Sequence, residues 1–93
     1  MAAVKTYAPA EIEQLLKAHV AQEFAYDQPD LVLTNDLKLI EQRIIDSMAV
    51  FQLVSFLETA FGVICEPEEL VLKNFETIDN LKTFILSKQA IEQ

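Results

Sequence analysis

Ile44-Ile45-Asp46-Ser47-Met48 opens an apolar run that closes at Phe61-Gly62, and its reading decides the fold. Asp and Ser are favoured at helix starts because their side-chain oxygens accept hydrogen bonds from first-turn N–H groups. A polar pair set between Ile44-Ile45 and a long apolar stretch predicts a helix from about Ser47 to Phe61. Ile44-Ile45 then pins the incoming chain to a core and leaves the serine hydroxyl outside. A helix start also presents unpaired N–H groups and the positive end of the helix dipole, which suit a phosphate. Taken alone, Asp46-Ser47 reads as a plain helix cap, the usual role of these residues, and the rest of the chain is what shifts that reading.

Within this central helix, Val50, Leu53, Val54, Leu57 and Phe61 fall on one stripe at helical spacing, the expected core face. Met48, Gln52, Ser55 and Thr59 lie opposite, with Phe51 and Phe56 on the flanks. Glu58 is the only charge after the cap. A solvated helix face usually carries more charge. Two readings stay open: a helix buried on two sides, or a partner-docking face beside Ser47.

Upstream, a first helix is predicted from about Pro9 to Tyr26. Pro9 suits a first turn, where its missing N–H costs nothing. Ile12, Leu15, Leu16, Val20 and Phe24 share a face. His19, the single histidine, falls near that stripe without a nucleophile or carboxylate partner in view, so it reads as a boundary residue. Asp27-Gln28-Pro29-Asp30 ends the helix, since proline disfavours a helical residue before it. The long connection to Asp46 carries Leu31, Leu33, Leu37, Ile40, Ile44 and Ile45, which tack it to the core, and Thr34-Asn35-Asp36 can cap a helical turn within it. A connection of this length is expected to be functional or partly structured.

Downstream, Gly62 suits a left-handed residue that ends the central helix. Val63-Ile64-Cys65 is expected to re-enter the core, with Cys65 a small buried residue rather than a nucleophile. Glu66-Pro67-Glu68-Glu69-Leu70 suits the start of a short helix, with acids at its positive end. Asn74-Phe75 drops an aromatic into the core. Thr77 reads as the cap of a last helix, about Ile78 to Ala90, with Ile78, Leu81 and Ile85 inward. The expectation is one all-α domain over residues 1–93, core about 9–90: a small four-helix bundle of three longer helices and one short one, with a long loop between the first two.

Composition bounds the function. Seven Lys and Arg against 15 Asp and Glu leave a net charge of −8. That balance disfavours nucleic acid and anionic membrane and favours basic partner surfaces. One cysteine allows no internal disulfide and fits a reducing compartment. No apolar run approaches a membrane span, and Met1–Tyr7 lacks the apolar segment of a signal peptide. A cytoplasmic monomer is expected.

In its motifs the chain resembles the acyl carrier proteins and the related peptidyl carrier domains. Asp46-Ser47-Met48 matches their attachment motif. Phe61-Gly62-Val63-Ile64, Glu68-Glu69-Leu70, Asn74-Phe75 and Thr77-Ile78 follow the family pattern F-G-I-x-I-x-x-E-E-L-x-P-x-N-F-x-S-I without a gap. The resemblance covers about Leu37 to Ile85. It implies that a phosphopantetheinyl transferase attaches 4′-phosphopantetheine, taken from coenzyme A, to Ser47. It implies that Asp46 serves metal binding and serine positioning in that complex. It implies a non-enzymatic carrier of acyl thioesters for acyl-loading and acyl-processing enzymes of a fatty-acid, polyketide or related pathway. The expected partner surface is Met48, Phe51, Gln52, Ser55 and Thr59, with acids such as Glu68 and Glu69 at the rim. The chain departs from the pattern at Arg43, where relatives often have glycine, and at Leu72, where many have proline. Arg43 puts a cation near the expected phosphate. The neutral Gln52, Ser55 and Thr59 lean away from housekeeping fatty-acid synthesis. An aminoacyl or peptidyl carrier, and a helical interaction module without a prosthetic group, remain as alternatives. A serine hydrolase is disfavoured, because no base and acid accompany the serine and no G-x-S-x-G elbow exists.

Overall fold

The computed structural model describes residues 7–28 and 30–91, so the readings of Pro29 and of residues 1–6 lie outside the described residues. The regular structure is helical: α1 (Pro9–Phe24), α2 (Ser47–Phe61) and α3 (Ile78–Ile91), with two 3-10 turns between α2 and α3. There is no strand among the described residues.

Helix α1 starts at Pro9, and the Glu11 carboxylate accepts from the Ala8 N–H at 2.9 Å. Its inner stripe is Ile12, Leu16 and Val20, all fully buried. Leu15 and Phe24, expected on that stripe, sit at its margin: Leu15 is exposed and Phe24 half-buried. The helix stops two residues short of the expected Tyr26. Its ladder breaks where the Ala25 N–H reaches back to the Val20 carbonyl at 3.1 Å, one residue further than a helical bond.

The connection to α2 is built around Leu39, a residue that periodicity did not single out. Its side chain is fully buried. Its N–H donates to the Glu76 carbonyl at 2.8 Å, and its carbonyl accepts from Ile44 at 2.9 Å and Ile45 at 3.2 Å. With the Arg43 N–H donating to the Ile40 carbonyl at 3.0 Å, these bonds make a Schellman turn. Such a turn needs a left-handed residue just past its helical part, and here that residue is Arg43, at φ 60°. This is the position where the resembled family often has glycine. A side chain in that conformation costs about 1–2 kcal/mol. The turn drives Ile44 and Ile45 into the core, as expected, and aims the chain into α2. Leu31, Leu33, Leu37 and Ile40 pack only at the edge of the core.

Helix α2 has the expected bounds. Asp46 is its cap, its side chain accepting from the Ala49 N–H at 2.8 Å. Leu53, Leu57 and Phe61 are fully buried, each contributing about 1.5–3 kcal/mol of burial. Gly62, at φ 69°, ends the helix by donating its N–H to the Glu58 carbonyl at 3.1 Å. Of Val63-Ile64-Cys65, only Val63 is fully buried. Ile64, expected inward, is 63% exposed, because the extended chain here points alternate side chains to opposite sides.

The expected short helix after Glu66 is replaced by 3-10 turns at Pro67–Glu69 and Leu72–Phe75. Side-chain amides take carbonyls that an α-helix would use itself. Asn74 Nδ2 donates to the Glu69 carbonyl at 2.8 Å, and Asn80 Nδ2 to the Lys73 carbonyl at 2.7 Å. Phe75 is fully buried as expected. Thr77 caps α3, its hydroxyl accepting from the Asn80 N–H at 3.0 Å, and Ile78, Leu81 and Ile85 face the core.

Helices α1 and α3 close the molecule across the chain. Lys82 meets Glu13 at 2.6 Å. The Gln89 carboxamide accepts from the Tyr7 N–H at 2.9 Å, and the Tyr7 hydroxyl donates to the Ala60 carbonyl at 3.0 Å. No helix of the described residues is long and apolar enough to cross a membrane.

Candidate functional site

Ser47 occupies the first helical position of α2 and is exposed. The preceding Asp46 already fills the cap, so the serine hydroxyl is not needed to close the helix start. It forms no hydrogen bond within the described residues. Asp46 is extended, at φ −120° and ψ −173°, which turns its carboxylate back over the first turn. The Ala49 N–H is thereby satisfied, while the N–H groups of Ser47 and Met48 find no acceptor among the described residues.

Two depressions flank this helix start. One, of about 440 Å³, is lined by Ile40, Arg43, Ile45, Asp46, Ser47 and Leu72. The other, of about 300 Å³, runs between Arg43, Asp46, Met48 and Gln52 on one side and Glu23 and Phe24 of α1 on the other. The fold thus gathers Arg43, Asp46, Ser47 and Met48 at one end of α2. It also brings in Leu72, which the sequence marked only as a departure from proline. Its inclusion depends on how the 3-10 turns fold back, which no local pattern reports.

From that end the surface continues along α2. Met48 is 72% and Phe51 63% exposed. Gln52, Ser55 and Thr59 are exposed as well, so the two-sided burial reading does not hold. Phe56 turns the other way and is half-buried, stacked on His19 with ring centroids 3.7 Å apart. A groove of about 480 Å³ separates Gln52, Ser55 and Thr59 from His19 and Glu23. Burial against Phe56 and its surroundings holds the His19 imidazole below its ordinary pKa, with Glu23 opposing the shift. His19 is therefore a packing residue at the wall of this groove, as its position predicts.

The two rim acids differ. Glu68 is exposed. Glu69 is committed to the fold: it accepts from the Glu66 N–H at 2.8 Å and pairs with Lys88 Nζ at 2.9 Å. The Glu66 N–H, and then Lys88, hold its carboxyl below the usual range. Cys65 is half-buried, and burial, reinforced by Glu58 and Glu69, pushes its thiol up to about 11. No His, Cys, Asp and Glu side chains gather into a metal-binding group among the described residues. The chain matches no protein-family model, and a search of curated proteins gives no match.

Proposed function

We propose that this chain is an acyl carrier protein, with Ser47 as the attachment point of 4′-phosphopantetheine. One observation carries the reading: an exposed serine hydroxyl at the first position of α2, beside an aspartate that alone completes the cap. The donor set suits a phosphodiester at that place. Two N–H groups without acceptors and the Arg43 side chain surround the serine, at the positive end of a helix. In loading, the Ser47 oxygen forms a bond to the pantetheine-side phosphorus of coenzyme A. The bond from that phosphorus to adenosine 3′,5′-bisphosphate breaks, and the serine proton passes to a base on a separate transferase, which works with a divalent metal. Asp46 positions the serine and contributes to that metal's shell. Once bound, the group supplies a flexible arm whose terminal thiol carries an acyl chain as a thioester.

The fold is then a carrier bundle whose short helix is drawn out into two 3-10 turns. The chain has no catalysis of its own. It works as a cytoplasmic monomer, docking its partners through Met48, Phe51, Gln52, Ser55 and Thr59. An aminoacyl or peptidyl cargo is compatible with the same site. The exposed Phe51 and Met48 are also what a helical adaptor without a prosthetic group would show.

Intact mass after incubation with coenzyme A, magnesium and a broad-specificity transferase separates these readings. A carrier gains one phosphopantetheine, mapped to Ser47, and Ser47→Ala gains none while keeping its helical circular dichroism. Unmodified parent protein, or modification at Ser55 or Ser87, refutes the assignment.

A further inference from the structure

Arg43 is the one residue other than glycine with positive φ among the described residues. The Schellman turn needs that conformation, and glycine meets the need without strain. A long charged side chain kept at a strained position points from the outlier toward a function for that side chain. The guanidinium makes no hydrogen bond or ion pair among the described residues, although acids outnumber bases by 15 to 7 in the chain. Lys38, Lys82 and Lys88 each meet a carboxylate, while Lys17 and Lys73, like Arg43, make no ion pair among the described residues. Arg43 instead lines both depressions at the start of α2, which have only Arg43 and Asp46 in common. It therefore stands on the ridge between them. The Asp46 carboxylate beside it is turned to the Ala49 N–H.

We infer that Arg43 is a positioning residue that grips the phosphate of the group carried on Ser47 and sets the arm over the larger depression, where Ile40, Ile45 and Leu72 offer apolar wall. This rests on the carrier reading. The choice of side follows from Ser47, which lines the larger depression and not the smaller one. The guanidinium fork matches two phosphate oxygens at once, whereas a lysine in its place offers a point charge. Because the site is exposed, the grip weakens with salt.

The experiment compares unloaded and loaded protein labelled with nitrogen-15 arginine, together with phosphorus NMR of the loaded form. On loading, the Arg43 Nε–H resonance shifts and its exchange with water slows about tenfold, as expected for a charge-assisted bond. The phosphorus line is broader in the parent than in Arg43→Gly, with Arg43→Lys between them, and high salt brings parent and variants together. Arg43→Gly relieves the left-handed backbone and Arg43→Lys leaves its strain as in the parent, so neither readout depends on a damaged fold. A loaded protein whose Arg43 signal is unchanged, and whose phosphorus line is the same in Arg43→Gly, overturns the inference and leaves the carrier reading standing. Absence of any phosphorus on Ser47 overturns both.

Discussion

Replacing Asp46 by Ala and by Asn separates the two tasks assigned to one carboxylate. In the fold it caps α2 through a 2.8 Å bond to the Ala49 N–H. Removing such a cap costs about 1 kcal/mol. The negative charge at the helix start adds about 0.5 kcal/mol. Asp46→Ala loses both, about 1.5 kcal/mol, which for a domain of this size lowers Tm by about 6–12 °C. Asn caps as well as Asp, so Asp46→Asn loses only the charge contribution and about 2–4 °C. Loading reads the other task. If the carboxylate contacts the transferase metal shell, losing a charged contact there costs about 1.5–3 kcal/mol. Both variants then load about 10- to 150-fold more slowly. The assays are thermal unfolding followed by circular dichroism, and loading rate by mass spectrometry below the KM for the carrier. Asp46→Asn loading at the parental rate would show that the carboxylate does nothing but cap. Equal Tm losses for Asn and Ala would show that the side-chain acceptor is not what holds the helix start.

At the proposed docking face, Phe51→Ala lowers turnover by a cognate partner roughly 30-fold, as for an interface anchor of about 2 kcal/mol, and leaves Tm nearly unchanged because the ring is 63% exposed. Glu58→Ala has the smaller effect, and moderate salt slows association without abolishing it; steady-state kinetics of both variants across a salt series checks this. The lowered Glu69 carboxyl contributes stability that is present above the ordinary carboxylate pKa of 4.5 and is lost as pH falls through its lowered folded value. Glu69→Gln is therefore less stable than the parent at pH 7 and has a shallower loss toward acid in urea midpoints; parallel acid limbs would refute the pairing. With its thiol at about 11, Cys65 is on the order of one-thousandth thiolate at pH 8. Iodoacetamide alkylation should be far slower than for free cysteine at pH 8 and climb until about pH 11, and a rate at pH 8 matching free cysteine would contradict the burial described.

The elements that sequence predicted best are those fixed by neighbours. Asp46, Gly62 and Thr77 act on the turn beside them, and each ends or starts a helix where expected. The core stripes of α2 and α3 follow from periodicity alone. What local pattern did not reveal depends on distant partners. The drawing out of the short helix needs Asn80 of α3 to reach the Lys73 carbonyl and Lys88 to reach Glu69. Leu39 gains its role from a bond to Glu76, far along the chain. At the candidate site, Asp46, Ser47 and Met48 were legible as a motif, and the exposed face of α2 as the side opposite its apolar stripe. Leu72 was illegible as a wall of the same depression, because its place depends on the 3-10 turns. The charge expected at the rim from Glu69 is instead tied to Lys88, whose placement on a distant helix no local spacing predicts.

The pairing of α1 with α3 has a consequence for synthesis. Glu13 waits for Lys82 and Tyr7 for Gln89, so α1 finds its partner in α3, made long after it. Such contacts, far apart in sequence, form only after α3 has left the ribosome. Until then the apolar stripe of α2, Val50 to Phe61, has no finished core to enter. A ribosome stalled before Lys82 would hold a chain that carries Ser47 but lacks the platform that displays it. If Ser47 is loaded as proposed, the closing of α3 over α1 is the step that sets its platform, and loading should follow that closing.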